Sequence, residues 1–332
     1  MKAIIPVAGA GTKLRPHTYT QPKALIPLAG KTILSIIVDQ LTEAGIHEFI
    51  FIVGYLGDKI QDYVMEKYPH LTVHFVHQNE RQGIGHAILL TKDIVGEDEI
   101  FIVLGDTICE YDVQSVLNMQ GSVLGVKRVD DPRNFGVAEI NDEGLITRVV
   151  EKPQIPKSNM ALVGIYRIRE TSFLFSCLAS NINNQLTSYG EYSLTDAIEC
   201  MINNSAKFFA FKVQNWFDCG RKETLLDSNA KLLKKFGSSI SPEHQFENTI
   251  IIEPVSIADG CDIKNSIIGP NVAIGEKTKV NYSIVKDSII GSFANLNDIV
   301  LTSSLIGSDT EVKGESRSLN IGDNTEIDLG ES

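Results

Sequence analysis

The chain has 332 residues, 43% of them hydrophobic, and a formal net charge of −12. That length suggests two domains with apolar content enough for a real core, and the acidic balance argues against a protein that grips nucleic-acid backbones, which needs a basic face. No apolar run approaches the roughly 18 residues of a membrane helix, and Met1 leads straight into a strand-like stretch with no room for a signal peptide. Cys109, Cys177, Cys200, Cys219 and Cys261 are scattered, odd in number and free of metal-ligand spacing, so reduced thiols in a soluble, cytoplasmic protein are expected.

From the amino terminus, Ala3 to Val7 reads as a buried strand that breaks at once into Gly9 and Gly11. Glycines at a strand's carboxyl end let backbone N–H groups approach phosphate oxygens, and Thr12, Lys13, Arg15 and Lys23 add a hydroxyl and three cations. Alone, the glycines fit a tight turn equally well. Neither a Walker loop nor a dinucleotide fingerprint matches, and Pro16 comes too soon for a helix, so the stretch reads as an extended basic loop over a ligand.

Thr32 can cap a helix whose apolar face is Ile33, Ile36, Ile37 and Leu41 and which stops at Gly45. A strand over 48–53, a helix over 58–68, a strand over 71–76, a short helix over 85–92 and an apolar strand over 99–104 follow. Repeated βα units imply a parallel sheet covered on both faces, with ligands at the carboxyl ends of its strands. Gly105-Asp106 ends the last of these strands, where a carboxylate is placed either to meet a cation or to cap a loop. Asn141 to Gly144, between two alternating apolar runs, predicts a hairpin with Gly136 at one end and Glu151-Lys152 at the other. By itself Glu151-Lys152 is an ordinary solvated pair, and Gln78 to Gly83 a polar loop with a helix-capping glycine.

Taken together, G-A-G-T-K-L-R-P from Gly9, Q-P-K-A-L from Gln21, G-D at Asp106, F-G-V at Phe135, E-K-P at Glu151, Y-G-E-Y-S-L-T-D at Tyr189 and N-W-F-D-C-G at Asn215 resemble the signature of the sugar-1-phosphate nucleotidyltransferases, through residue 236. The resemblance implies a mixed, mostly parallel α/β sheet of Rossmann-like topology. It also implies catalytic roles for Lys13, Lys23, Asp106 and Asp218, with both aspartates holding Mg2+, which favours a few carboxylates plus phosphate oxygens and water. Ala8, Gly9, Gly11, Thr12, Gln78 and Gly83 are implied in nucleotide binding, and Gly136, Glu151, Lys152, Gly164 and Glu191 in sugar-phosphate binding. Thr195 and Asp196 are read as support for the helix they begin. Two positions depart from the family: Lys13 replaces its usual arginine, keeping charge but losing the bidentate fork, and Tyr189 stands where some members carry a phosphate-binding arginine.

Composition changes near residue 237, giving a catalytic domain over 1–236, a linker over 237–246 and a further domain over 247–332. This last part repeats S-I-I-G-P-N-V-A-I from 266, S-I-I-G-S-F-A-N-L from 288, S-L-I-G-S-D-T-E-V from 304 and S-L-N-I-G-D-N-T-E-I from 318, with Ile268, Ile274 and Val280 six apart. Hexapeptide spacing predicts a left-handed parallel β-helix, similar to that appended to several nucleotidyltransferases, and its exposed ends and edges favour a homo-oligomer.

The expected partners are therefore a nucleoside triphosphate and a hexose-1-phosphate. The overall spelling most resembles long-form glucose-1-phosphate thymidylyltransferases, implying dTTP and glucose-1-phosphate, with UTP and glucose-1-phosphate or GTP and mannose-1-phosphate as alternatives. A non-catalytic sensor of nucleotide sugars is a rival, favoured only by Lys13. An acetyltransferase is another, disfavoured because the last histidine, His244, precedes the repeats.

Overall fold

In the computed structural model, which describes residues 1–240 and 246–314, the apolar run before the glycine loop is strand β1 (Lys2–Pro6), with Ala3, Ile4 and Ile5 fully buried. A two-strand hairpin of β2 (Pro27–Leu28) and β3 (Lys31–Thr32) leads into helix α1 (Ile33–Glu43). Thr32 caps α1 through a reciprocal box: its Oγ1 accepts from the Ser35 amide, and Ser35 Oγ accepts from the Thr32 amide, both at 3.0 Å. Strand β4 (Glu48–Val53), helix α2 (Gly57–Lys67) and strand β5 (Thr72–His77) follow as the apolar periodicity predicts. The single helix expected over 85–92 is instead two short ones, α3 (Ile84–Leu89) and α4 (Lys92–Val95). Thr91 divides them: it is fully buried, and its hydroxyl donates to the Ile88 carbonyl at 2.7 Å.

Beyond β6 (Ile100–Val103) come β7 (Thr107–Glu110), helix α5 (Val113–Asn118), β8 (Ser122–Arg128), β9 (Gly136–Ile140), β10 (Leu145–Glu151) and β11 (Met160–Ile168). Helices α6 (Thr171–Asn183) and α7 (Leu194–Asn203), strands β12 (Phe208–Lys212) and β13 (Asn215–Asp218), and helix α8 (Lys222–Phe236) complete the series. Nine strands make one mixed sheet in the order β5-β4-β1-β6-β11-β8-β12-β10-β9. The amino-terminal strands β5, β4, β1 and β6 are all parallel, whereas β11 runs antiparallel between β6 and β8. The β9–β10 hairpin turns at Asn141, whose Oδ1 accepts from the amides of Glu143 (3.1 Å) and Leu145 (2.9 Å).

The chain divides into two compact units, Met1–Leu232 and Leu233–Ser332. Ser239–Ile240, inside the segment read as linker, is already a strand, pairing in parallel with Val255–Ile257; residues 241–245, His244 among them, lie outside the described residues. The second unit is a parallel β-helix of the left-handed hexapeptide class, with three ladders of short strands enclosing Ile257, Ile263, Ile268, Ile274, Val280, Val285, Ile290 and Leu296. Its coil takes seventeen residues from Ile257 to Ile274, then sixteen from Ile274 to Ile290 and sixteen again to Ile306. Each coil therefore falls short of three full hexapeptides, because some sides are five residues long, such as Val280 to Val285. An amide ladder tracks one edge, with Asn248 donating to Asn265, Asn265 to Asn281 and Asn281 to Asn297 at 3.1, 3.4 and 3.3 Å. The repeat from residue 318 lies outside the described residues. Among the described residues no helix is long and apolar enough to cross a membrane.

Candidate active site

At the carboxyl ends of β1 and β6 the backbone turns through two glycines that have no room for a side chain. A Cβ on Gly105 would lie 2.3 Å from Val7 Cγ1, and one on Gly11, whose φ is +59°, would lie 2.9 Å from Lys23 Cβ. Gly9 has no such neighbour within 4 Å, so at that position the backbone borders open space. These loops, with Gln78 to Ala87, wall a cavity of about 510 Å³. All the residues expected to bind nucleotide line it, Ala8, Gly9, Gly11, Thr12, Gln78 and Gly83, together with the expected catalytic Lys13 and Lys23. Gln78 is buried and its Nε2 donates to the Gly83 carbonyl at 3.0 Å, which fixes the amide plane; His86 Nδ1 lies 3.4 Å from the same nitrogen, a supporting contact. Gly83 does cap α3, as the bland sequence reading had it, and at φ +102° its Cβ would meet the Tyr192 carbonyl oxygen at 2.6 Å.

A second cavity, about 480 Å³, is lined by Gly136, Glu151, Lys152, Gly164 and Glu191, the residues expected to meet a sugar phosphate. Gly164 sits at a register shift in β11 with φ +81°, a bulge that a Cβ would drive into Leu104 at 2.7 Å. Glu151 does not hang free. Thr195 Oγ1 donates to its Oε2 at 2.7 Å, and Lys152 Nζ stands 3.5 Å from its Oε1. Thr195 thus does more than begin α7, whose N-cap is Ser193. Nearby, burial raises the Asp196 carboxyl above the ordinary range; a hydrogen bond from Ser188 opposes this and the Glu151 charge adds to it. Tyr189 is held in the left-handed region (φ 55°), its hydroxyl donating to the Lys152 carbonyl at 2.6 Å and its ring lying 5.8 Å from Lys152 Nζ.

The two cavities share Ile84, Leu104, Asp106, Glu191 and Asp218. Far apart in sequence, the two aspartates come to line the same cavities because β13 pairs antiparallel with β7 in a register that sets Asp218 opposite Thr107, the neighbour of Asp106. Asp218 Oδ1 accepts from the Gly220 amide at 2.8 Å, and Lys23 Nζ lies 2.6 Å from Asp106 Oδ2. The lysine is largely buried, its side chain 16% exposed, while the aspartate stays 48% exposed to the cavities. In this state the Lys23 cation is therefore matched by Asp106.

Two carboxylates fit a hard divalent cation that completes its shell with substrate oxygens and water, and among the described residues no cluster of three or more His, Cys, Asp or Glu offers an all-protein cage. Arg81 and Arg221 also line the first cavity, and Asn134, Phe135, Tyr192 and Trp216 the second, with Phe135 edge-on to Trp216 at 4.8 Å between ring centroids. None of the six is expected from sequence as a site residue, although Phe135, Tyr192 and Trp216 fall inside the motifs. Arg221 directly follows the W-F-D-C-G stretch and Arg81 lies between Gln78 and Gly83, so position beside a motif was the available signal.

Residues 2–235 match the family model described as nucleotidyl transferase. The bifunctional protein GlmU of Methanocaldococcus jannaschii is 35% identical over 94% of this chain and 83% of its own length. A glucose-1-phosphate thymidylyltransferase of Streptomyces griseus is 30% identical over 94% of this chain and 93% of its own. Among solved structures, UDP-glucose pyrophosphorylase complexed with UDP-glucose superposes with a TM-score of 0.61 at 25% identity, covering 70% of this chain and 98% of that one. A glycine loop at a strand's carboxyl end, two adjoining cavities with two aspartates at their seam, and these likenesses converge: the chain belongs to the nucleotidyl transferase family and is a sugar-1-phosphate nucleotidyltransferase.

Proposed function

We propose that the chain transfers a thymidylyl group from dTTP to glucose-1-phosphate, giving dTDP-glucose and pyrophosphate. The observation that carries this reading is the shared seam: two cavities of similar size meet at Asp106, Asp218 and Glu191, as two phosphate-bearing substrates that react with each other require. The triphosphate lies along Ala8 to Lys13, its base toward Gln78 and Gly83. The sugar phosphate occupies the other cavity, where Glu151 accepts from sugar hydroxyls and Lys152 neutralises phosphate.

A sugar-phosphate oxygen attacks the α-phosphorus in line, and the bond to the leaving pyrophosphate breaks. The attacking phosphate is already ionised, so no side-chain base is needed and the chain contributes positioning and charge. Asp106 and Asp218 would hold Mg2+, which would supply charge neutralisation to the phosphates. Lys13 offsets charge on the departing pyrophosphate. Lys23 holds the Asp106 carboxylate until the substrates arrive and then faces their phosphates.

Choice of dTTP rests on the near full-length likeness to the Streptomyces thymidylyltransferase; the likeness to a UDP-glucose pyrophosphorylase supports uridylyl transfer as the second reading. Pyrophosphate release from dTTP, UTP and GTP, each with glucose-1-phosphate and mannose-1-phosphate, decides between them. The highest kcat/KM is expected for dTTP with glucose-1-phosphate. A preference for UTP would move the assignment to the second reading, and no turnover with any pair would favour a sensor.

A further inference from the structure

Behind the second cavity, α6 and α7 pack together and bring two cysteines into contact. Cys177 is buried in the middle of α6 among Leu174, Leu178, Ile198 and Met201. Cys200, in the last turn of α7, is partly open to solvent. The Cys200 thiol donates to Cys177 Sγ with the sulfurs 2.7 Å apart, closer than two unbonded sulfurs ordinarily rest. Neither residue lines either cavity, so the proposed chemistry leaves both unused. The other thiols are differently placed: Cys261 donates to the Gly275 carbonyl at 3.1 Å, while Cys109 and Cys219 are buried.

A pair of apolar residues would fill this space equally well, so packing alone does not call for two sulfurs in contact. We infer that Cys177 and Cys200 form a dithiol site that a small-molecule disulfide converts into a covalent cross-link between α6 and α7. Burial pushes the Cys177 thiol up to about 12, so the entering nucleophile is the more accessible Cys200. Cys200 thiolate attacks one sulfur of glutathione disulfide, forming a mixed disulfide and releasing one glutathione thiolate. Cys177 then loses its proton and attacks the Cys200 sulfur; the protein S–S bond forms and the second glutathione leaves. Two electrons pass to the glutathione disulfide, and the two protein thiol protons end on two glutathione thiols. The bond ties α7 to α6, and the first turn of α7 carries Thr195, the residue that holds Glu151.

The test treats the reduced full-length protein with glutathione disulfide, alkylates the remaining thiols in denaturant so that buried Cys109 and Cys219 also react, and reads intact mass and a peptide map. Three of the five cysteines should be alkylated, with no glutathione retained and a Cys177–Cys200 peptide pair that dithiothreitol separates. The cross-linked form should also unfold several degrees higher. Five alkylated cysteines, a different pair, or glutathione retained on wild-type Cys200 would overturn the site, and an unchanged unfolding midpoint would overturn the clamp. In Cys177→Ser, Cys200 should stop at the glutathione adduct; no adduct would overturn the order of attack.

Discussion

The substrate cleft and the β-helix both depend on left-handed backbone, met by glycine where the chain is crowded and by other residues where a side chain has room. In the cleft, Gly11, Gly83 and Gly164 have positive φ, and a Cβ at any of them would lie 2.6 to 2.9 Å from a neighbouring atom. In the β-helix the corners at Asn271, Lys277, Tyr282, Asp287, Phe293 and Asp298 have φ between 47° and 61°, and the side chains of Tyr282 and Phe293 stand exposed. An L-residue in this region costs about 1–2 kcal/mol, which a corner tolerates when its side chain has space. Glycine is demanded where one piece of chain must pass close to another, as at Gly83 in the cleft and at Gly269 beside the Ile252 carbonyl in the β-helix, whereas exposed Tyr189 in the cleft has room for its side chain.

Four substitutions test this contrast. The largest effect is expected from Asp218→Asn at the cavity seam: turnover, read as pyrophosphate release, should fall on the order of 10³-fold, the scale of losing one preorganised electrostatic contact. Its circular dichroism should stay unchanged, and near-normal turnover would count against the seam as the reacting centre. In the β-helix, Ile290→Ala removes a fully buried side chain and should cost about 3 kcal/mol in urea unfolding while leaving turnover per folded molecule intact. Gly11→Ala meets both a positive φ and the Lys23 side chain, so about 1–2 kcal/mol should appear as weaker triphosphate binding, measured by KM. Unaltered binding would show that the loop has slack. Tyr282→Gly should be smallest, within about 0.5 kcal/mol, because relief of the corner offsets the added freedom of the unfolded chain. A large loss there would mean that the exposed ring, not the corner, is what matters.

Much of the fold was legible because its cues are local. The Thr32 cap, the Asn141 turn and the apolar runs of β1, β4 and β6 each act within a few residues. The break between α3 and α4 was not legible, since a buried threonine hydroxyl bonding its own backbone looks in sequence like any helical residue. Five-residue sides in the β-helix were hidden behind the six-residue spacing of Ile268, Ile274 and Val280, which does not hold on every side. At the site, motif positions led to the glycines and charged groups. The support of Glu151 by Thr195 and of Lys152 by Tyr189 depends on contacts across the fold that no spacing encodes.

The sequence by itself determined the parallel amino-terminal strands, the β9–β10 hairpin, the Thr32 cap, the glycine loop and the aliphatic stack, because hydrophobic period and turn chemistry are properties of neighbouring residues. Only the tertiary structure decided that Asp106 and Asp218 share one wall, that Lys23 is matched by Asp106, and that Cys177 meets Cys200. Those juxtapositions follow from strand register and helix packing, which are set by burial of the whole sheet and not by any segment alone.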